Sequence, residues 1–210
     1  ALAAEGRNPL TGLPVDAQPL LQQRPVRVKI PNGPQGLPPA AGLNQADLVF
    51  EYYIGAQTNH FLAVYHWQDS EQVGPLAPAR MVDARLSEHY QGILAYASAD
   101  NTVEKVLSEV LPGRSYVRGF TPCPAMCNLK DAGGENTYVN TSAMRELYKT
   151  ENPESDIVNL SGLDFASHLS EWDANAQQLS YLYADFSVMQ WDYDPQSGQY
   201  QLSQDYAAPD

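Results

Sequence analysis

Residues 150–210 contain no lysine and no arginine, although they carry 11 of the chain's 25 acidic residues. All 12 basic residues lie in residues 1–149, against 14 acids, and the whole 210-residue chain has a formal charge of −13. Nucleic-acid binding needs positive charge to displace counterions, so this balance excludes it. It equally excludes docking on anionic lipid headgroups. No apolar run exceeds a few residues, so no segment of the sequence spans a bilayer as a helix. There is no G-x-G-x-x-G and no P-loop, hence no nucleotide cofactor is expected. There is no G-x-S-x-G elbow, and His60, His66, His89 and His168 lie in no triad context. The sequence opens Ala1-Leu2-Ala3-Ala4 without an initiator Met or a signal peptide, as a processed or trimmed N-terminus would.

Cysteine is scarce too. Cys123 and Cys127 are the only two, four apart. Two ligands cannot complete a tetrahedral zinc site, and no metal is expected. The spacing is not that of a thioredoxin-like pair. A local disulfide that fixes the shape of the 119–135 loop is the favoured reading, with two free buried thiols as the alternative. A disulfide would place the protein outside the cytoplasm.

What is present reads as alternating strands and helices. Val26-Arg27-Val28-Lys29-Ile30 alternates apolar and basic residues, as a half-buried strand does. Asp47–Ile54 and Phe61–Trp67 are β-rich and form a hairpin around Gly55. Helical spacing over residues 80–92 ends at Gly92, and a short strand follows at Leu94–Ala97. Asn101 or Thr102 caps a helix over 103–111. Ser115–Arg118 and Tyr138–Asn140 are strands, and Thr141 or Ser142 caps a helix through Tyr148. After residue 175, Leu179–Phe186, Val188–Tyr193 and a return strand from Gln199 follow, with a turn at Asp194-Pro195-Gln196-Ser197-Gly198.

This pattern predicts an α/β fold, a mixed β-sheet sandwiched by helices, followed by a short β-rich segment of a second, truncated domain. The expected units are an extended N-terminal segment over 1–25, a main domain over 26–160 and an acidic β-rich unit over 161–210. A single domain with an acidic face is the alternative. Two or three strands are marginal alone, so the second unit is cut short or leans on the first.

An ordered set of short motifs then carries a family resemblance. Asn8-Pro9-Leu10-Thr11-Gly12-Leu13-Pro14 is followed by Arg24-Pro25-Val26, Gly42–Asp47, Phe50-Glu51, Val73–Leu76, Ala79-Arg80 and Asn136–Val139. Trp191, Tyr193-Asp194, Gly198 and Tyr200 close the set. Together these resemble the YerB-like bacterial lipoproteins over about residues 8–205. The resemblance implies an extracytoplasmic protein attached to the cell membrane by an N-terminal lipid anchor, which this chain does not include. It implies no defined activity. Where such proteins usually carry Asp, His, Arg and His, this chain has Pro31, Gly33, Ala77 and Glu135, and Ser98-Ala99-Asp100 replaces a glycine-rich segment. Several polar groups suited to catalysis are therefore replaced.

The candidate ligand-binding residues are Glu51, Arg80, Asp83, Asn136, Tyr53 and Trp67. A carboxylate in a β-rich run is costly unless paired, so Arg80 is expected to be held by Glu51 or by Asp83. Arg80 and Asp83 sit at a helix start, where a carboxylate is favoured and a guanidinium can grip an anion. A structural Glu51–Arg80 pair that pins helix to sheet is the bland alternative. Tyr52, Tyr53, Tyr65 and Trp67 suggest an exposed aromatic row that stacks on sugars, against a sheet covered on both sides. Asp192 and Asp194 loosely match a calcium loop, but a plain hairpin turn explains them. The functional expectation is non-catalytic binding of a cell-envelope glycan, a small solute or a partner protein. The alternative is a hydrolase or transferase acting on envelope polymers through paired carboxylates.

Overall fold

A computed structural model of the chain describes residues 6–16, 22–32, 40–55, 58–129, 136–154, 158, 160, 163, 165, 176–184 and 187–205. The hairpin loop residues 56 and 57, the segment 33–39, Glu135 and His168 lie outside them.

Five strands form the central sheet: β1 (Val26–Asn32), β2 (Leu48–Gly55), β3 (Thr58–Tyr65), β4 (Ile93–Tyr96) and β5 (Ser115–Val117). Their order is β2-β3-β1-β4-β5. The first three pair antiparallel, whereas β1–β4 and β4–β5 pair parallel, so the sheet is mixed as expected. Helices α1 (Met81–Tyr90) and α2 (Asn101–Val110) accompany the parallel part. A ribbon of β6 (Met126–Asn128) and β7 (Thr137–Val139) precedes α3 (Thr141–Glu151). The chain then forms an antiparallel sheet of β8 (Gln178–Ala184), β9 (Ser187–Asp194) and β10 (Gln199–Asp205).

Strand alternation divides the core into two layers. Leu62, Leu94 and Tyr96 pack with Ala84, Val103 and Leu107 of α1 and α2 on one face. Val26, Val28, Ile30, Ala63 and Tyr65 pack on the other with Met144 and Tyr148 of α3 and with Met189 of β9. Strand β1 is therefore central and covered on both sides. The half-buried strand read from its alternation is corrected: Arg27 and Lys29 are fully buried. The alternation is real, but both classes of residue face protein.

Local chemistry explains the element ends. Helix α2 starts at Asn101, two residues before the expected 103, and its cap is Asp100 in place of Asn101 or Thr102, because the Asp100 carboxylate accepts from the amides of Thr102 and Val103. Asn140 does the same for α3 through Ala143. Helix α1 ends in Gln91, which takes the left-handed conformation with φ 49°. Gly92 is required for another reason: a Cβ there would lie 2.4 Å from the Pro25 carbonyl oxygen.

The N-terminal segment also differs from its expectation where it is described. Residues 6–16 turn back on themselves through an Arg7–Pro14 bridge. Asn8 and Leu10 are buried, Leu10 against Val64, Val158 and Leu160. Asp47 secures this turn, accepting from Asn8 Nδ2 at 2.6 Å and from the His66 and Trp67 amides. Cys123 and Cys127 form the expected disulfide at the base of the β6 loop. Among the described residues no helix is long and apolar enough to cross a membrane.

Candidate functional site

The two polar residues that the sequence places side by side on β2 point to opposite faces of the sheet. Glu51 pairs with Phe61 in register, and Tyr52 with His60. Phe61 belongs to the α3 layer, whereas Tyr52 packs in the layer of α1 and α2. It is thus Tyr52, not Glu51, that faces the start of α1. The expected Glu51–Arg80 pair does not form.

On the helix-covered face, Lys29 and Asp83 are both fully buried, with Nζ and Oδ2 3.5 Å apart. The Tyr52 hydroxyl lies between them, accepting from Lys29 and donating to Asp83. Asp83 also accepts from the Arg80 amide at 2.6 Å, which ties the first turn of α1 to the charge cluster. Arg80 itself is exposed, and its guanidinium acts on the cluster only at a distance. Burial lowers the Lys29 ammonium to about 8, although Asp83 opposes the shift. Burial raises the Asp83 carboxyl, with Lys29 and Tyr52 opposing. His60, beside this cluster, is pushed down to about 3 by burial and then by Lys29 and Arg80, and so stays neutral.

The Lys29 shift has a consequence for stability. Its folded value of about 8 lies below the ordinary 10.5, so between these pH values the unfolded chain holds a proton that the folded chain has released. Unfolding free energy then rises with pH across that window. Wild type should gain on the order of 1–3 kcal/mol relative to Lys29→Met between pH 8 and 10.5. Denaturation midpoints of the two proteins across that range measure it, and a constant gap would contradict it.

On the opposite face lies a cavity of about 510 Å³ between the central sheet and the C-terminal sheet. Val49, Glu51 and Phe61 form its floor, and Trp191 and Leu202 form the far wall. Ala40, Leu43 and Asn44 complete it. Val49 and Leu202 are each more than a third exposed, so the cavity opens to solvent. Glu51 is half-buried and accepts from Asn59 and from the Tyr183 hydroxyl. Burial raises its carboxyl, and these two donors oppose the rise.

The remaining candidates lie apart. The Tyr53 ring stacks on Tyr183 at 6.2 Å, at the hairpin end of β2. Trp67 follows the far end of β3, beyond Tyr65, which is buried with its hydroxyl on the Gly42 carbonyl. These aromatics form no continuous exposed row, since alternation turns Tyr52 inward and burial takes Tyr65. Asn136 is buried where the β6–β7 ribbon begins. Asp192 and Asp194 spend their carboxylates on the hairpin, on Gln178 and Gln190 and on Gln196 and Ser197. No cluster of three or more metal-ligating side chains occurs among the described residues.

Residues 10–154 match the model of the "Protein of unknown function (DUF3048) N-terminal domain". The chain belongs to this DUF3048 family. Ninety residues, 43% of the chain, are 38% identical to a Bacillus subtilis (strain 168) protein named "Putative lipoprotein YerB". That stretch is only 27% of the relative's length. The crystal structure of the Bacillus subtilis YerB protein superposes on 95% of this chain with a TM-score of 0.78 at 22% identity, using 67% of that chain. The α/β architecture over residues 10–154 is therefore that of the DUF3048 N-terminal domain, and the fold of the chain as a whole resembles that of the YerB structure.

The cavity wall supplied by Trp191 and Leu202 escaped the sequence reading. Trp191 stood out in the motif set, but nothing in the sequence says that β9 folds back over β2. Lys29 and Tyr52 escaped as well, because a basic residue in an alternating strand is ordinarily solvent-facing.

Proposed function

We propose that this chain is the binding part of an extracytoplasmic lipoprotein, tethered to the cell membrane by a lipid anchor, and that it holds a small ligand without transforming it. The observation that carries this reading is the cavity of about 510 Å³, in the size range of small-molecule sites, with mostly apolar walls and one carboxylate. Support for the location comes from the name of the relative at 38% identity and from the Cys123–Cys127 disulfide, which suits an oxidising compartment. Hydrolysis by paired carboxylates needs two carboxyl groups flanking one bond. Among the described residues Glu51 is the single carboxylate that lines this cavity, and Asp83 lies on the other face of the sheet with Tyr52. A small solute fits better than an extended glycan, because the aromatics form no flat exposed row.

Uptake of N-phenyl-1-naphthylamine, a neutral apolar dye that brightens on burial, tests the site. Wild type should take up one dye per chain. Val49→Arg places a long side chain across the mouth from an exposed position and leaves the core untouched. It should weaken uptake about tenfold, the effect of losing roughly 1.4 kcal/mol of apolar contact. Unchanged uptake in this variant, in a protein that melts like wild type, would move the site elsewhere.

A further inference from the structure

Among the described residues, Glu51 is the only charged one that lines the cavity. None of the ion pairs among the described residues includes it. Asn59 and Tyr183 satisfy two of the roughly four acceptor positions that a carboxylate offers. Among the described residues no lysine, arginine or histidine lines the cavity, and the sheet that closes it belongs to the part of the chain without any Lys or Arg. Among the described residues the remaining polar contribution is Asn44, and the others in the lining are aliphatic or aromatic. The cavity thus combines one uncompensated negative charge with an apolar wall. A ligand carboxylate or phosphate would be repelled by Glu51. A neutral ligand would leave that charge desolvated without a partner, which is costly. A cation both neutralises it and brings hydrogen-bond donors.

We propose that the cavity binds a small organic ammonium ion with an apolar stem, its N–H groups on the Glu51 carboxylate and its stem along Phe61, Trp191 and Leu202. The inference rests on the cavity being the binding site. The indole of Trp191 supplies an additional attraction, since ring faces favour cations. The net charge of −13 draws cations toward the molecule and repels anionic competitors. A bound ammonium favours the charged form of the Glu51 carboxylate, against the burial that disfavours it.

The test compares 1-hexylamine, charged at neutral pH, with 1-hexanol of the same chain length, as displacers of N-phenyl-1-naphthylamine. Hexylammonium should displace the dye at least about tenfold more effectively, as expected for a hydrogen bond to a charged group. Glu51→Gln, close in shape, should erase the preference while dye uptake persists. Raising NaCl to about 0.5 M should weaken hexylammonium and leave hexanol unchanged, a readout that needs no variant. Equal displacement by both compounds, with the dye bound, overturns the ammonium assignment alone. A preference that survives Glu51→Gln, or that ignores salt, overturns it too. Absence of dye uptake together with no calorimetric heat from hexylammonium overturns both this assignment and the site.

Discussion

Asp83→Ala should destabilise the protein by about 3–5 kcal/mol near pH 7, because it leaves the Lys29 ammonium buried without its counter-charge. The Lys29 and Asp83 side chains have no solvent exposure, so bulk water does not screen the charge that is left. The variant also removes the acceptor of the Tyr52 hydroxyl and of the Arg80 amide at the first turn of α1. Lys29 has one escape, which is to release its proton. Burial already lowers it to about 8 with Asp83 present, and without Asp83 it falls further. The cost of Asp83→Ala should therefore shrink as pH rises. Lys29→Met combined with Asp83→Leu removes both charges and should recover most of the loss, since an apolar replacement of a buried pair is often neutral or better. Arg80→Ala is the control: exposed and outside the pair, it should cost no more than about 1 kcal/mol. Urea denaturation midpoints, with the slope checked for constancy, measure all four. An Asp83→Ala midpoint within error of wild type would show that the pair contributes nothing to the fold.

The contrast between Arg80 and Lys29 shows where the sequence was readable. Among the described residues, apolar spacing located all three α-helices and nine of the ten strands to within a few residues. Those signals are local, since a helix stripe and its cap are set by neighbours a turn away. Strand β6 escaped because its three residues, with Cys127 tied up in the disulfide, are too few to carry a periodicity. Glu51 and Tyr52 are neighbours on β2 and so face opposite sides of the sheet, but parity alone does not say which face receives α1. That depends on the crossover from β3 to α1 to β4, over which the chain chooses a side. Glu51 was accordingly matched with Arg80, a residue close to the cluster but on the wrong side of the sheet. The true partner of Asp83 lies 54 positions earlier, on a strand whose basic residues looked solvent-facing. Central placement between β3 and β4 is what buries them, and strand order is a property of the whole sheet. The cavity shows the same limit. Its floor lies on β2 and β3 and its wall on β9 and β10, some 140 residues apart, and no local pattern links them.

The joint between the two sheets makes the strongest functional prediction. Met189 of β9 is fully buried in the layer that contains Val28, Ile30, Phe61 and Ala63. It anchors the C-terminal sheet, assisted by Tyr183 on Glu51, the Tyr53–Tyr183 stack and the Gln204–Asn32 hydrogen bond. The outer half of that sheet has little else to hold it, with Leu179, Tyr181 and Leu202 each well exposed. Three antiparallel strands without a packed face are marginal alone, so the sheet depends on this contact. Met189→Asp inserts an unpaired carboxylate among apolar side chains, and undocking the sheet is the least costly way to rehydrate it. Dye uptake should then fall to background, because Trp191 and Leu202 no longer close the cavity. Proteases should cut within residues 176–205, while α1, α2 and the central sheet stay folded by circular dichroism. Met189→Leu, which conserves volume, should cost less than about 1.5 kcal/mol and retain uptake. If Met189→Asp took up dye as wild type does, the cavity would not depend on the docked sheet, and Glu51 would have to bind its ligand from β2 alone.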